Sequence, residues 1–261
     1  MKSMLRCGPS SALAGLLGGL MLVAPPASAQ APATTSDSWA ITASPYVWFS
    51  GLSGDISVPA GSVSFSADFG DIFETLKFSA MGIVEARRGN FSIVSDALYL
   101  NLQQGIPVPG SHGAFSGGSA RTQSAEISVI GLYTLAETPS GRFELGGGVR
   151  AWWFNTAINY NSGLLPGRSA DSSTSWADPI LAARGIVRLS ESLSFTAYGD
   201  VGGFGVGTEF TWQAMGTLDW RLRDNLSVSI GYRYMHLDYE KGRATIGVDL
   251  SGPIIGASYR F

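Results

Sequence analysis

Ten stretches of this chain alternate apolar and polar residues with a period of two, and few folds can use so many. The clearest runs from Thr208 to Leu222. Phe210, Trp212, Ala214, Gly216, Leu218, Trp220 and Leu222 fall on one face, and Glu209, Thr211, Gln213, Met215, Thr217, Asp219 and Arg221 on the other. Such alternation marks a strand whose two faces meet different surroundings, because successive side chains leave a pleat on opposite sides. A second stretch, Phe143 to Trp153, sets Phe143, Leu145, Val149, Ala151 and Trp153 against Glu144, Arg150 and Trp152. The pattern recurs at 38–49, 77–88, 91–102, 121–135, 177–189, 193–203, 226–239 and 244–261. Each stretch is near the length that crosses a bilayer at a tilt. An even number of strands puts both chain ends on one side, as single-chain bacterial barrels require.

The connections alternate in length. Short ones fall at Gly89-Asn90, around Thr138-Pro139-Ser140, at Ser190-Glu191-Ser192 and at Arg223-Asp224-Asn225. Long ones fall at 50–76, 103–120 and 160–176, with tighter ones near 204–207 and 240–243. Short turns at one end and longer loops at the other are the outer-membrane arrangement. A two-residue Gly89-Asn90 loop pairs Arg88 with Phe91. A three-residue loop at Arg223-Asp224-Asn225 would pair Leu222 with Leu226, Trp220 with Val228 and Leu218 with Ile230, with Asn225 left-handed. A slip of one residue would turn Asp219 and Arg221 to the apolar side, so the register is strongly specified.

The two ends of the chain fit the same picture. Lys2 and Arg6 head an apolar run from Ala12 to Ala24, and Ala27-Ser28-Ala29 offers the small residues of a cleavage site. Residues 1–29 therefore read as a signal peptide, 30–37 as a flexible start and 38–261 as the barrel. Cys7 precedes the apolar run, whereas a lipoprotein cysteine follows it. Without the leader the chain has no cysteine, and losing Lys2 and Arg6 takes the net charge from −3 to −5. Cohesion then rests on ladder and packing rather than disulfides, and the mild acidity argues against nucleic acid. No later run of about 20 apolar residues exists, which excludes helical membrane spans. At the other end, Pro253, Ile255, Ala257, Tyr259 and Phe261 form one face of the final stretch. Stopping on an aromatic there resembles the C-terminal sorting signal of bacterial outer-membrane β-barrels, with Tyr259 and Phe261 as its aromatics.

The fold these features predict is all-β: a transmembrane, antiparallel, up-and-down β-barrel of about ten strands (8–12). A soluble β-sandwich would use the same period with its apolar face inward. The leader, the last residue and the aromatics near strand ends (Trp39, Phe49, Tyr99, Trp153, Phe210, Trp220) favour the barrel.

Alternation also names the lumen: Glu85, Arg87, Asp96, Glu126, Glu144, Arg150, Asp178, Arg184, Arg188, Tyr198, Asp200, Asp219, Arg221, Arg233 and Arg260. Hairpin registers place Arg184 opposite Tyr198 and one step from Asp200, and Glu126 one step from Arg150 opposite Ser128. The simpler reading is an ion-paired network that fills a narrow barrel, since polar groups inside a membrane must satisfy one another. The sharper one is a charged constriction that selects solutes. Ten strands sit near the filled end of the size range, so the network is preferred.

Other candidates are weaker. His236 and Asp238 form an H-x-D pair near a strand end, but no serine is marked as a nucleophile and the other histidine, His112, lies in a Gly/Ser-rich loop. A rim pair meeting headgroups and water explains them better. The glycines of Gly199-Asp200-Val201-Gly202-Gly203-Phe204-Gly205-Val206-Gly207 suggest a phosphate loop, but a strand follows where a helix would be needed. Asp55, Asp68, Asp71 and Glu74 lack calcium-loop spacing; 68, 71 and 74 could meet on a helical turn and draw a divalent cation, but a solvated loop is the preferred reading. Asn90-Phe91-Ser92 and Asn225-Leu226-Ser227 match glycosylation sequons by chance. Nothing calls for a metal or cofactor.

Several segments carry a family likeness. They are Asp178-Pro179, Tyr198 through Phe204, Gly231-Tyr232-Arg233-Tyr234 with Asp238-Tyr239, and Ser251-Gly252-Pro253 through Phe261. Pro45-Tyr46-Val47-Trp48 with Gly51-Leu52-Ser53-Gly54 adds to them. Together they resemble a widespread, uncharacterised group of proteobacterial outer-membrane β-barrel proteins, small and porin-like in outline. The likeness covers most of 39–261 and implies fold and location, with no chemistry attached. The resulting expectation is a monomeric, non-enzymatic structural or interaction barrel. Its partners would be outer-membrane lipid and lipopolysaccharide, with periplasmic chaperones and the barrel-assembly machinery engaging the last strand. The alternatives are a narrow channel or transporter, including one for hydrophobic solutes using a lateral gap near a bulge at Gly252-Pro253, and a rim hydrolase built on His236.

Overall fold

The computed structural model describes residues 38–58, 61–106, 115–241 and 244–261. The expected leader 1–29, the segment 30–37 and His112 lie outside them. The elements are β1 (Ala40–Trp48), β2 (Gly51–Val58), β3 (Gly61–Ala67), α1 (Phe69–Thr75), β4 (Leu76–Arg88), β5 (Phe91–Ile106) and β6 (Phe115–Thr138). They continue as β7 (Gly141–Ser162), β8 (Arg168–Arg188), β9 (Leu193–Gly203), β10 (Phe210–Arg223), β11 (Leu226–Lys241) and β12 (Ala244–Arg260). From β4 to β12 each strand pairs antiparallel with the next, β1 pairs with β4, and β1 closes on β12. Ten strands thus form a closed wall. The β2–β3 hairpin continues β1 upward along β12.

Stagger follows from the registers. Traced from Ala40 through Arg87, Ser92, Leu132, Gly146, Ala182, Asp200, Gln213, Met235 and Leu250, the ladder returns to its first strand line at Leu52, twelve residues on. On ten strands such a stagger tilts them by about 40° to the barrel axis. The outside is an apolar belt, with Val129, Val149, Leu181 and Ile230 all exposed. Phe91, Tyr133, Trp220 and Tyr259 border it at the end where the short turns lie, and Phe78, Tyr99, Trp153 and Trp212 at the loop end. The inside holds buried Arg150, Arg233, Glu126, Glu144 and Asp178. That polarity is inside-out relative to a sandwich, and it removes the sandwich alternative.

Three long connections come out differently from expectation. The segment 50–76 folds into β2, β3 and α1, and most of 103–120 and 160–176 is strand, because β5 to β8 run far past the belt. Above the belt both faces meet water, so the apolar signal of alternation disappears while the ladder goes on. Asp68 and Asp71 are spent on a capping box: the Asp68 carboxylate accepts the Asp71 N–H at 3.0 Å, and the Asp71 carboxylate accepts the Asp68 N–H at 3.1 Å.

Two turns are also tighter than expected. The turn before β7 contains only Pro139 and Ser140, and the turn before β11 only Asp224 and Asn225, with Arg223 opposite Leu226. A register shift between Arg221 and Arg223 takes up the extra residue, so Asn225 has no need of a positive φ and does not adopt one. Trp220 still faces Val228 and Leu218 still faces Ile230. The irregularity expected at Gly252-Pro253 lies on the chain facing it. Phe49 and Ser50 break the line from β1 to β2, and the Phe49 N–H reaches the Pro253 carbonyl at 2.9 Å. A Cβ at Gly252 would stand 2.0 Å from the Phe49 carbonyl oxygen, so only glycine fits.

Candidate functional site

Inward-facing side chains stack in tiers. Near the turn end, Glu144 is gripped by Arg87, Arg142 and Arg184, with Arg184 Nε to Glu144 Oε2 at 2.6 Å and Arg142 Nε to Oε1 at 3.1 Å. Arg184 crosses the lumen to Glu85 at 2.8 Å, and Arg87 Nε donates to Glu85 at 3.1 Å. The pairing of Arg184 with Tyr198 is as the register predicts, but its guanidinium turns to Glu85 and Glu144 and leaves Asp200 to Arg150.

Half-way up, a hydrogen-bonded chain crosses the lumen. Tyr46 Oη donates to Asp96 at 2.8 Å, and Arg233 Nη1 reaches Asp96 at 2.9 Å and Tyr46 Oη at 2.9 Å. Arg233 Nε donates to Gln213, whose amide donates to Asp200. Asp200 also accepts from Tyr198 at 2.7 Å and from Arg150 at 2.8 Å. Arg150 Nε closes the chain on Ser128 at 3.0 Å and Glu126 at 3.3 Å, and Ser128 donates to Glu126. Seven of the ten wall strands contribute. Arg150 and Arg233 are 0% and 1% exposed, and Arg233 also lies over the Trp48 ring, 4.9 Å from its centroid.

Above this layer the lumen turns aromatic. Trp152, Phe154 and Trp176 stack, and Trp176 meets Tyr239 of β11 at 4.5 Å. Tyr239 can reach β8 because the β9–β10 connection is low and folds inward. Gly203, Phe204 and Gly205 all take positive φ there, and the Thr208 N–H donates to the buried Asp178 carboxylate at 2.7 Å. Trp176 Nε1 donates to the same carboxylate at 3.1 Å.

Of the other lumen residues named by alternation, Asp219 accepts from Thr196 at 2.6 Å and from Thr217 at 3.1 Å. Arg221 donates to the Glu191 carbonyl and Arg188 to the Pro139 carbonyl. With Arg260 they line the turn-end mouth, apart from the network. Tyr46, Arg142, Gln213, Trp176 and Tyr239 were not among the named network residues, although each has the inward parity that would have found it. Between the mouth and the charge layer lies a chamber of about 360 Å³. Thr42, Ser194, Asp219, Ser227 and Ser258 line both chamber and mouth, so the two are continuous.

His236 is elsewhere. It stands opposite Trp212 and Asp249 on the outward face, at the loop-end border of the belt. Nδ1 is 2.7 Å from Asp249 and Nε2 is 3.0 Å from Asp238, while Tyr234 donates to the same Asp249 oxygen. Carboxylates on both ring nitrogens suit the imidazolium, which has no lone pair left to take a proton. No group of metal-ligating residues gathers among the described residues.

A closed, staggered barrel with an apolar exterior and a charged interior is the architecture of outer-membrane β-barrels, and solved structures share it. The outer-membrane protease OmpT from Escherichia coli superposes with a TM-score of 0.54 at 12% identity, over 88% of this chain and 99% of that one. The translocator domain of the autotransporter NalP from Neisseria meningitidis gives 0.41 at 13% identity, over 85% and 88%. Ail, the attachment invasion locus protein of Yersinia pestis, gives 0.36 at 12% identity, over 85% and 98%. At 12% identity the likeness to OmpT is one of fold. No protein-family model matches the sequence, and no curated protein matches it.

Proposed function

We propose that this protein is an integral, monomeric barrel of the bacterial outer membrane, exported by the general secretory route. Its lumen is closed to ions, and it acts through its exposed surfaces rather than by catalysis. The observation that carries this reading is the layer from Asp96 to Glu126, in which Arg150 and Arg233 are buried across the lumen beneath the aromatic stack. Guanidinium groups paired with carboxylates and a tyrosine fill the lumen at this level. The apolar belt with its two aromatic borders supports the membrane location. Outer-membrane lipid and lipopolysaccharide would meet the belt, and the strand carrying Tyr259 and Phe261 would engage chaperones and the assembly machinery. A hydrolase centred on His236 is disfavoured, because both ring nitrogens are occupied and no serine hydroxyl bonds to it among the described residues.

The test is single-channel conductance of the refolded barrel in a planar bilayer. Silence from protein shown to be folded is the expected result. Reproducible steps whose ion selectivity changes with Arg150→Ala would replace this reading with the channel, the alternative favoured by the chamber's continuity with the turn-end mouth.

A further inference from the structure

The wall is not equally closed all the way up. β1 and β4 pair over Ala40–Pro45 and Gly82–Arg87 only. β4 runs on through Leu76–Met81, and β1 through Tyr46–Trp48 pairs with β12 alone. Proline marks the place, for the β1–β12 ladder also skips from Ala43 to Tyr46 across Pro45. The open stretch begins below Phe78 and Tyr99, and hence inside the belt. Unpaired backbone groups facing hydrocarbon cost several kcal/mol each, so lipid-exposed gaps of this kind do not occur uncovered.

Beside the seam stands α1, which touches β2 and β3 and also β5. Phe69 packs on Phe49 at 5.0 Å and on Phe73 at 5.7 Å, and Phe73 is 62% exposed. A short, capped helix held by aromatic contacts can shift without breaking a ladder.

Behind the open stretch the lumen is apolar, with Trp48, Met81 and Leu98 packed together. The chamber borders it at Pro45, Tyr46 and Ile83. One arc of that chamber carries hydroxyls, from Thr42, Ser44, Thr217, Ser229 and Ser258, and the facing arc is aliphatic, from Val94, Ile130, Leu132 and Ile186. Its charges are already engaged: Arg184 by Glu85 and Glu144, Arg233 by Asp96, and Asp219 by two threonines. A guest would therefore meet hydrogen-bonding hydroxyls and an apolar wall, the cations of the lining being already paired with carboxylates. At ~30 Å³ per heavy atom the space suits about a dozen of them.

We propose that the β1–β4 seam is a lateral gate through which a small neutral amphiphile, an alcohol or phenol on a hydrocarbon body, passes from the outer half of the bilayer into the chamber and on to the turn-end mouth. The route avoids the aromatic stack and meets the charge layer only at its Tyr46 edge, which borders both seam and chamber. It rests on the lumen being closed at its loop end, which conductance tests separately.

The experiment uses the refolded barrel in lipid nanodiscs with 1-naphthol as probe, measured against protein-free discs. Saturable one-to-one binding is expected. Bridging Val47→Cys to Ala80→Cys with a short bismaleimide should slow uptake at least tenfold, whereas each single cysteine capped with the same chemistry should leave it unchanged. Ser229→Phe, which fills the chamber far from the seam, should abolish binding with the fold retained. Absence of saturable binding in the unmodified barrel would overturn the proposal. So would uptake at an unchanged rate in the bridged barrel, which would place access at the turn-end mouth instead.

Discussion

Arg150 and Arg221 point into the same lumen from positions that alternation marks alike, yet they live in different media. Arg150 is fully buried and meets Glu126, Ser128 and Asp200, whereas Arg221 is exposed at the turn end and, among the described residues, reaches only the Glu191 carbonyl. Parity decides which face a side chain takes. Height along the strand decides how much water remains around it, and so what its charge contributes. A buried ion pair broken on one side leaves a charge that neither water nor lipid can satisfy.

The sharpest way to break this comparison is Arg150→Ala. It leaves the Asp200 and Glu126 carboxylates without their arginine, and the urea midpoint of the barrel in detergent micelles should fall by the equivalent of about 3–5 kcal/mol. A midpoint equal to wild type would mean that the layer adds nothing to cohesion. Arg184→Ala comes next, because Glu144 keeps Arg87 and Arg142 while Glu85 keeps only Arg87. The same titration should show a loss of about 1–3 kcal/mol.

Gly252→Ala probes the wall rather than the lumen. Its Cβ would push the Phe49–Ser50 break away, at a cost of about 1–3 kcal/mol. Hydrogen exchange should localise the loosening to β1 and β2. Arg221→Ala is the control at the bottom of the scale, within about 0.5 kcal/mol of wild type. If it matched Arg150→Ala, height would not be the variable that matters.

The same distinction explains what could be read from the sequence. Inside the belt, alternation between apolar and polar faces identified the ten wall strands and put every named charge on the inner side. It failed where both faces meet water: Ser169 to Ser175 and Gln103 to Ile106 carry no apolar stripe, and they read as loop although the ladder continues through them. α1 was passed over for another reason, although the spacing of 68, 71 and 74 allowed a helical turn. Three acids at 68, 71 and 74 look like a solvated loop until the capping box shows two of them turned to backbone.

Partner choice was legible only in part. Hairpin registers gave the neighbours across each turn, such as Arg184 opposite Tyr198 and Arg150 opposite Ser128. They could not show that wall curvature brings β7 to β9 over the small Ala182, so that Asp200 goes to Arg150. Nor could they show β8 meeting β4 across the lumen through Arg184 and Glu85. Those contacts depend on closure, which no pair of adjacent strands contains.

Closure also sets a clock. The strands that seal the wall are the first and the last, with Thr42 facing Arg260. Folding slows as contacts become more distant in sequence, and a loop of that length yields no gain until its final strand arrives. Every hairpin from β4 to β12 can form early, but the ring itself waits for Ala244–Arg260. Until then two strand edges stand open beside the apolar belt, and mispairing competes with completion during that interval.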